Sequence, residues 1–300
     1  MADGGIGNQS PATLFQARLA NINLGSGVTS TLQLLQYNGN KVVVNGQTVV
    51  IPGGGVGLQR GIADHLITGA GADAGSAPAA NTLYYVYVSN AKATFSPSSI
   101  RLSASLPSTV NGVRYLGISG NALNWRFVGW VRINATPQFE SSDANRWIVN
   151  WYNRLSLSIL ANPAYNDGAG EVTYALNTNP FIELNGGVGS RVNFIANGED
   201  AVDLEGIYVL QSVSGTTAFI GLGIDDVTGP EQAADMGAAG DVNPSASTRY
   251  CQALAEGTHF AALLGTSEGT LVTVRAQLAK GDFGGAHDIR CTMIRGIIQG

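Results

Sequence analysis

Acidic side chains in the second half of the sequence are the groups best suited to chemistry. One set shares a single polar stretch and comprises Asn197, Glu199, Asp200, Asp203 and Glu205. A second set begins with Asp225 and Asp226. Calcium binds six to eight oxygen ligands in loops of this kind, but the spacing matches no EF-hand. We interpret the first set as a solvated turn, with a calcium site as the alternative, and predict no metal centre.

Catalytic motifs are absent from the sequence. It contains no P-loop, no G-x-S-x-G elbow, no H-E-x-x-H and no C-x-x-C. A glycosidase would need two carboxylates facing each other roughly 5–10 Å apart, and nothing selects a partner for Asp225. His259 lies in the apolar run HFAALLG, as expected of a hydrogen-bonded structural histidine. We therefore expect no enzyme activity and no cofactor.

A long polar loop is the main candidate for a binding surface. Residues 225–248 read DDVTGPEQAADMGAAGDVNPSAST and lack a strand pattern. Loops of this length are usually functional or mobile. The candidate receptor contacts are its acidic residues, Asp225, Asp226, Glu231, Asp235 and Asp241. Replacing Asp225 and Asp226 by alanine is expected to alter binding while changing stability by no more than about 0.5 kcal/mol.

Aromatic strands form the predicted scaffold. All four tryptophans lie between Asn81 and Leu160. In NWRFVGWVRIN, alternation places Trp125, Phe127, Gly129, Val131 and Ile133 on one face, and a period of two is typical of strands. The run NRWIVNWYNRLSLSIL would also suit a helix, but its later alternation favours a strand. The side chains interpreted as core or subunit interface, with an exposed sugar platform as the alternative, are Tyr85, Tyr87, Trp130 and Trp151.

The N-terminal region is predicted to be a helix followed by a ribbon. Ser10-Pro11 suits a helix start, and a short helix over Ala12–Ala20 would carry an apolar edge. Its edge consists of Leu14, Phe15, Arg18 and Leu19. Asn-Gly pairs at Asn38 and Asn45 predict tight turns in a strand–turn–strand–turn–strand ribbon. Since so short a helix is marginal alone, we expect it to dock on a partner, and deletion of residues 1–25 to leave the β domains folded.

Composition limits the function classes. Only 12% of residues are charged, against a usual level of about 25%, while 40 glycines mark many turns. Another subunit would help to cover such a surface, so we expect an oligomeric all-β protein. The net charge of −5 without a basic tract argues against nucleic-acid binding. No apolar run approaches the ~18 residues of a membrane span, and the first residues lack a signal-peptide pattern.

Four regions are expected. Residues 1–52 form the N-terminal segment and ribbon, and residues 53–80 a Gly/Ala-rich linker. Residues 81–162 form an aromatic-rich antiparallel module, and residues 163–300 a β-sandwich or jelly-roll-like domain with strands separated by turn signals. Cys251 and Cys291 are interpreted as free thiols, with a disulfide as the alternative.

Several runs together resemble tailed-bacteriophage and prophage fibre or spike proteins. They are QLLQYNGNKVVVNGQTVVIP, GVGLQ, NTLYYVYV, RLSAS, NWRFVGWVRIN, FESS and NRWIVNWYNR, with a looser likeness in EGTHFAALLG and IRCTMIRGIIQG. The resemblance implies a homotrimeric virion protein, made in the bacterial cytoplasm, whose N-terminal part contacts tail, neck or capsid proteins. Leu14, Phe15, Arg18 and Leu19 are then the attachment candidates. The jelly-roll-like tip would bind a host-surface glycan or protein.

Two rival functions stay open at this stage. A capsid or baseplate decoration protein would stabilise the particle and bind nothing outside it. A polysaccharide-degrading tailspike would need a pair of acids in a groove. The resemblance carries over no catalytic residue, because the matching runs belong to the β scaffold. It also leaves open whether the protein is a tail, collar or head fibre.

Overall fold

The protein was analysed as a computed structural model. It describes residues 14–21, 28–29, 31–59, 78–162, 172–176, 180–187, 189–211, 217–237, 245–268, 272–277 and 292–300. These residues divide into two compact units. Unit 1 lies within Met1–Ser142, Trp147–Leu155 and Gly300, and unit 2 lies within Asp143–Arg146 and Ser156–Gln299.

The described residues are mostly β-strand, which confirms the all-β prediction. The first fourteen strands are β1 (Ala17–Asn21), β2 (Val28–Thr29), β3 (Thr31–Gln36), β4 (Lys41–Val44), β5 (Gln47–Val50), β6 (Val56–Gln59), β7 (Leu83–Ser89), β8 (Ile100–Ser103), β9 (Ser108–Val110), β10 (Val113–Tyr115), β11 (Trp125–Arg132), β12 (Phe139–Glu140), β13 (Asn145–Arg146) and β14 (Ile148–Asn150). The remaining eleven are β15 (Ser156–Ala161), β16 (Val172–Leu176), β17 (Ile182–Glu183), β18 (Arg191–Ala196), β19 (Ala201–Gln211), β20 (Thr217–Ile224), β21 (Gln232–Gly237), β22 (Ser245–Ala253), β23 (Gly257–Glu268), β24 (Val272–Gln277) and β25 (Met293–Gln299). Within this part of the chain, helix is limited to the 3-10 turns Pro97–Ser99, Gly120–Asn124 and Leu184–Gly187.

Unit 1 is built around an antiparallel sheet of the aromatic strands. Its order is β8-β7-β11-β10-β9, and β14 also pairs with β11. A three-stranded sheet β1-β3-β6 and the two-stranded pairs β4-β5 and β12-β2 complete the unit. Leucine, isoleucine, valine and phenylalanine side chains from these elements form one hydrophobic core. The aromatic strands thus pair antiparallel, and they share one compact unit with the N-terminal strands.

The alternation predicted for β11 is interrupted by a β-bulge. Phe127 faces Tyr87 and Gly129 faces Val86, so Val128 is the extra residue. The bulge places Val128 and Val131 in the hydrophobic core, whereas Phe127 and Trp130 pack against each other with ring centroids 4.9 Å apart. The prediction that Phe127 and Val131 share a face was therefore wrong, because one additional residue reverses the period of two.

The predicted helix over Ala12–Ala20 was wrong. Ala17–Asn21 is strand β1 and pairs antiparallel with β3. Phe15, Ala17 and Leu19 are each at most 2% exposed, whereas Gln16 and Arg18 are half-buried. This alternation is the period of a strand. The strand conformation is favoured over the helix that Ser10-Pro11 indicated, because it buries three side chains in the core.

The predicted ribbon is only partly correct. Asn45 and Gly46 have φ of 47° and 76° and join β4 to β5 as a tight hairpin. Asn38 and Gly39 also turn with positive φ, but β3 pairs with β1 and β6 rather than with β4. The second Asn-Gly pair makes the hairpin and the first connects two different sheets. The predicted linker, residues 53–80, contains strand β6, which pairs with β3.

Unit 2 consists of two six-stranded sheets around a second core. One sheet has the order β13-β18-β23-β20-β21 with β17 against β23, and the other has β15-β25-β19-β24-β16 with β22 against β19. Buried side chains of both sheets, such as Leu204 and Leu222, belong to one hydrophobic cluster. The unit is thus a β-sandwich in its layering.

The order of the strands along the chain moves them between the two sheets of unit 2. β15 lies in one sheet, β18 in the other, β19 in the first, and β20 with β21 in the second. β22 then returns to the first sheet, β23 to the second and β25 to the first. Apart from β20 and β21, neighbours within each sheet are therefore distant in sequence, which makes local patterns poor guides to the pairing.

The long loop predicted over residues 225–248 was wrong in its middle and its end. Gln232–Gly237 is strand β21, which pairs with β20, and Ser245–Ala253 is strand β22, which pairs with β19. The segment QAADMG is rich in residues that are rare in strands, so its sequence gives no strand signal. Backbone pairing to a central strand decides its conformation instead.

Candidate functional site

The Asp225 carboxylate is hydrogen-bonded within unit 2, to His259 and to the backbone, and is not an isolated acidic group. The Asp225 carboxylate accepts a hydrogen bond from the Phe260 backbone N–H at 2.9 Å and lies 2.5 Å from His259 Nδ1. His259 Nε2 is 2.8 Å from the carbonyl oxygen of Ala255, which can only accept. The prediction of a hydrogen-bonded structural histidine is confirmed.

The other predicted receptor contacts in the described part of the chain differ in their surroundings, although desolvation by burial and then the charges of both Glu231 and Asp225 raise the pKa of Tyr250. Asp226 accepts hydrogen bonds from the backbone N–H and the hydroxyl of Thr228. These hydrogen bonds, the backbone one first, lower the pKa of the Asp226 carboxyl. Glu231 is exposed, with its backbone N–H donated to Leu222. Asp235 lies on β21, and Asp241 lies outside the described residues.

A groove lies on the outer face of the β15-β25-β19-β22 sheet. Its volume is about 570 Å³. Two rows of side chains cross the sheet, as the cross-strand partners show. The first row comprises Leu160, Arg295, Glu205 and Arg249, and the second comprises Ser158, Ile297 and Asp203. Asp143 also lines the groove, and all these residues belong to unit 2.

Two arginine–carboxylate pairs fix the charges of the groove. Arg249 binds Asp203 in a bidentate pair, with Nε–Oδ1 and Nη2–Oδ2 distances of 2.8 and 2.6 Å. Arg295 places Nε and Nη2 2.8 Å from Oε2 of Glu205. Bidentate geometry restrains both partners and makes such pairs stronger than single contacts. These pairs are partly exposed, so their contribution to stability is small.

The pairing also sets the protonation of the groove. Hydrogen bonds from Arg249 lower the pKa of the Asp203 carboxyl, and the same bonds raise the pKa of the Arg249 guanidinium. Asp203 therefore stays a carboxylate at neutral pH and has no proton to donate. A glycosidase needs one acid with a raised pKa, and Asp203 has the opposite property.

Two of the four predicted attachment residues are part of the unit 1 core, and Leu14 and Arg18 are half-buried. Phe15 and Leu19 are 2% and 1% exposed, and burial lowers the pKa of the half-buried Arg18. The Leu14 carbonyl accepts a hydrogen bond from Arg126 Nη1 at 3.1 Å. Phe15 and Leu19 are thus core residues and cannot act as the contact surface in this conformation.

Three polar side chains fasten the N-terminal segment of unit 1. Arg126 is fully buried, donates to the carbonyls of Leu14 and Val43, and lies over the ring of Tyr152. Asn150 accepts from the Leu19 N–H at 2.6 Å and donates to the Leu19 carbonyl at 3.2 Å. Asn153 donates to carbonyls of the same segment. These side chains satisfy backbone groups that a neighbouring strand would otherwise pair.

The four aromatic side chains singled out in the sequence lie together in unit 1. Tyr87 and Trp130 are fully buried, Tyr85 is 8% exposed, and Trp151 is half-buried. The guanidinium carbons of Arg114 and Arg154 lie 4.5 and 4.6 Å from the centre of the Trp151 ring. Within one protomer, then, these rings are largely covered and offer little open face to a sugar.

The groove residues were missed in the sequence because Asp203 and Glu205 were assigned to a turn. Both lie on β19, where they alternate with the buried Val202 and Leu204. The alternation of charged with apolar residues was the available signal that this segment is a strand with one charged face. Their arginine partners come from β22 and β25, and only the pairing of strands reveals that proximity.

Known proteins, metal-binding clusters and membrane-spanning helices give no lead to the function of the groove. No protein-family model matches the chain, and no curated protein matches it significantly. No cluster of three or more His, Cys, Asp or Glu side chains with metal-binding geometry occurs among the residues that the structure describes. In the same residues no helix has the length and hydrophobicity needed to cross a membrane.

Proposed function

We propose that this chain is a structural protein of a tailed-bacteriophage or prophage virion. In this proposal it forms a homotrimeric fibre or spike, unit 1 holds it on the particle, and unit 2 is a jelly-roll domain for host-surface recognition. The protein binds and displays without catalysing a reaction. The observation that carries the proposal is the strand order of unit 2.

The strand order favours a jelly roll. Eight of the strands form two sets of four neighbours, β15-β25-β19-β22 and β18-β23-β20-β21. Each set combines early and late strands of the unit, as expected for two Greek keys folded into facing sheets. Jelly rolls of this kind occur in viral capsid and lectin domains. The topology therefore supports a virion protein with a binding domain, in line with the sequence resemblance.

A passive role is supported by the state of the acidic residues. Asp203 and Glu205 are engaged by arginines, and Asp225 is engaged by His259 and a backbone N–H. Of these, the Asp203 carboxyl has its pKa lowered by the hydrogen bonds from Arg249, so it is poorly suited to act as a general acid. This favours a displayed binding domain over a polysaccharide-degrading tailspike.

Attachment through the N-terminal region now rests on a different surface. Phe15 and Leu19 point into the core of unit 1, so we propose that the exposed surface of unit 1 contacts the particle. Exposed apolar side chains suit such contacts, and unit 1 has Leu106 and Ile118 exposed by 66% and 71%.

The proposal is tested on purified full-length protein and on particles. Light scattering should give a mass near three times 31.1 kDa. Antibodies against unit 2 should label projecting fibres in electron micrographs of induced particles and block adsorption. A stable monomer missing from particles would refute the proposal. Shortening of host polysaccharide by the protein would refute its non-catalytic part, and unit 2 packed against other virion proteins would establish a decoration role instead.

A further inference from the structure

We propose that the groove on the outer face of the β15-β25-β19-β22 sheet binds a neutral oligosaccharide. Arg249, Arg295 and their carboxylate partners would hold sugar hydroxyl groups, and Ile297 with Leu160 would contact the carbon face of a ring. This inference rests on the proposed host-surface function, and it names both the site and the ligand class.

Charge argues against an ionic ligand. The lining carboxylates Asp143, Asp203 and Glu205 are balanced by Arg249 and Arg295 together with Arg146, which lies 2.5 Å from Asp143. Three negative and three positive groups sum to zero. An anion would approach three carboxylates and a cation would approach the guanidinium groups, so neither gains net attraction. A polar uncharged ligand meets no such penalty.

The unused hydrogen-bonding capacity suits hydroxyl groups. Asp203 and Glu205 each bind an arginine through Nε and Nη2, which leaves Nη1 of Arg249 and of Arg295 without a hydrogen-bond partner in the described part of the chain. Oε1 of Glu205 and Oδ2 of Asp143 are likewise open to an external donor there. A sugar hydroxyl both donates and accepts, so neighbouring hydroxyls can engage a guanidinium and a carboxylate together.

Apolar contact and rigidity complete the site. Leu160 and Ile297 are 43% and 47% exposed beside the charged pairs, so the groove offers carbon surface as well as polar groups. Small-molecule sites combine an apolar lining with a few fixed polar groups in volumes of about 300–1,000 Å³, and the groove volume of about 570 Å³ lies in this range. Ion pairing restrains the arginines before binding, which reduces the entropy lost with the ligand.

The test uses the full chain and named saccharides. Maltotriose, lactose and chitotriose are the neutral probes, sialyllactose is the anionic probe and the chitosan trimer is the cationic probe. Calorimetry should detect saturable binding of at least one neutral saccharide, with a Kd that changes less than twofold between 50 and 500 mM salt. Ser158→Trp fills the groove without removing a charge and should abolish binding. Arg295→Met should weaken it at least tenfold.

Matched controls keep the result interpretable. Arg191→Met removes a comparable arginine from its pair with Glu183, on the other sheet, and should leave the Kd within twofold. Circular dichroism must show each variant folded, and Ser158 is exposed, so its replacement is expected to fold.

Three binding results, one adsorption result and one self-association result would overturn the inference. The binding results are binding that persists in Ser158→Trp, stronger binding of a charged probe, and the absence of groove-dependent binding by every neutral probe.

Cell adsorption separates this inference from the proposed function. If the protein adsorbs to host cells and Ser158→Trp adsorbs equally well, the groove inference fails while the host-surface function stands. If the wild-type protein neither adsorbs nor occurs in particles, the proposed function fails. Self-association that Ser158→Trp disrupts would make the groove an interface between copies instead.

Discussion

The two units of the chain place their hydrogen-bonded arginine side chains differently. Unit 1 buries Arg126, which together with Asn150 binds backbone groups of the N-terminal segment. Unit 2 keeps two arginine–carboxylate pairs on an exposed sheet face, although small buried side chains such as Ser190 and Ser267 also bind backbone carbonyls inside it. A buried polar group must be satisfied, whereas an exposed one is hydrated when its partner is removed.

This difference separates stability from function. Removing a polar group from unit 1 should unfold structure, because backbone donors or acceptors remain buried without partners. Removing one from the groove of unit 2 should alter binding while the fold persists. Surface pairs that contribute little to folding can therefore change without loss of structure, which suits a recognition surface.

Deletion of residues 1–25 is the change with the largest expected effect. It removes β1 together with Phe15, Ala17 and Leu19, each of which is buried in unit 1. Loss of one large core side chain already costs about 3–5 kcal/mol, so unit 1 should lose its cooperative fold. The sequence expectation that this deletion leaves the β domains folded is therefore revised for unit 1. Hydrogen exchange by mass spectrometry should show loss of protection in β7 and β11, with β20 and β23 of unit 2 still protected. Full protection in unit 1 would contradict the assignment of β1 to the core.

Arg126→Met comes next and tests the buried side of the comparison directly. The Val43 carbonyl would lose the Arg126 donor, the Leu14 carbonyl would keep only the Val43 N–H, and Tyr152 would lose its contact with the guanidinium. The free energy of unfolding of unit 1 should therefore fall by about 3–5 kcal/mol. Denaturant titration measures this change. The same replacement at the exposed Arg249 is the control and should lower the free energy of unfolding far less, because the pair is screened by solvent. Equal losses at the two positions would remove the distinction between the units.

Asn150→Ala is expected to have a smaller effect. The Leu19 N–H and carbonyl would both lose their hydrogen-bond partner in a buried setting, at a cost of about 2–4 kcal/mol. Asn193→Ala in unit 2 is the matched variant. Asn193 donates to the side chain of Asn145 in a half-buried position, so its loss should cost about 1 kcal/mol or less. Thermal and denaturant unfolding would rank the two variants, and a larger loss at Asn193 would contradict the argument.

Asp225→Ala should cost about 1–2 kcal/mol, because Phe260 N–H and His259 lose an acceptor. Asp225 has a positive φ of 56°, where Asp is tolerated better than Ala. The sequence expectation of a negligible cost at both acids is thus revised for Asp225. Asp226→Ala, in an exposed turn, remains within about 0.5 kcal/mol. Equal stability of the two variants in a denaturant titration would show that the contacts of Asp225 with His259 and Phe260 do not stabilise unit 2.

The fold class could be predicted from the sequence, whereas the partners of its strands could not. Alternation around Tyr85 and the Asn45-Gly46 turn are local signals, and the structure places a strand and a hairpin at those positions. The bulge at Val128 and the strand β21 depend on neighbouring strands, so they leave little trace in the sequence. At Phe15 and Leu19 two local patterns competed, and burial in the core decided between them.

The candidate site was even harder to predict from the sequence than the strand pairing. Asp203 and Glu205 alternate correctly along β19, but Arg249 is 46 residues from Asp203 and Arg295 is 90 residues from Glu205. Only the order β15-β25-β19-β22 brings them together. A sequence can predict that a strand face is charged, whereas the groove is a property of the sheet.

The smallest expected effect concerns pH and Arg249→Met in unit 2. Because Arg249 lowers the folded-state pKa of Asp203, their pairing stabilises unit 2 above the unfolded pKa of aspartate, near 3.8, and this contribution is lost as pH falls through the folded value. The variant should therefore be slightly less stable than the wild type at pH 7. The two proteins should converge once the pH falls below the lowered pKa of the folded-state Asp203 carboxyl, where that group is protonated. Urea titrations at neutral and at acidic pH measure this. A difference that persists in acid would mean that Arg249 stabilises unit 2 by packing rather than by charge.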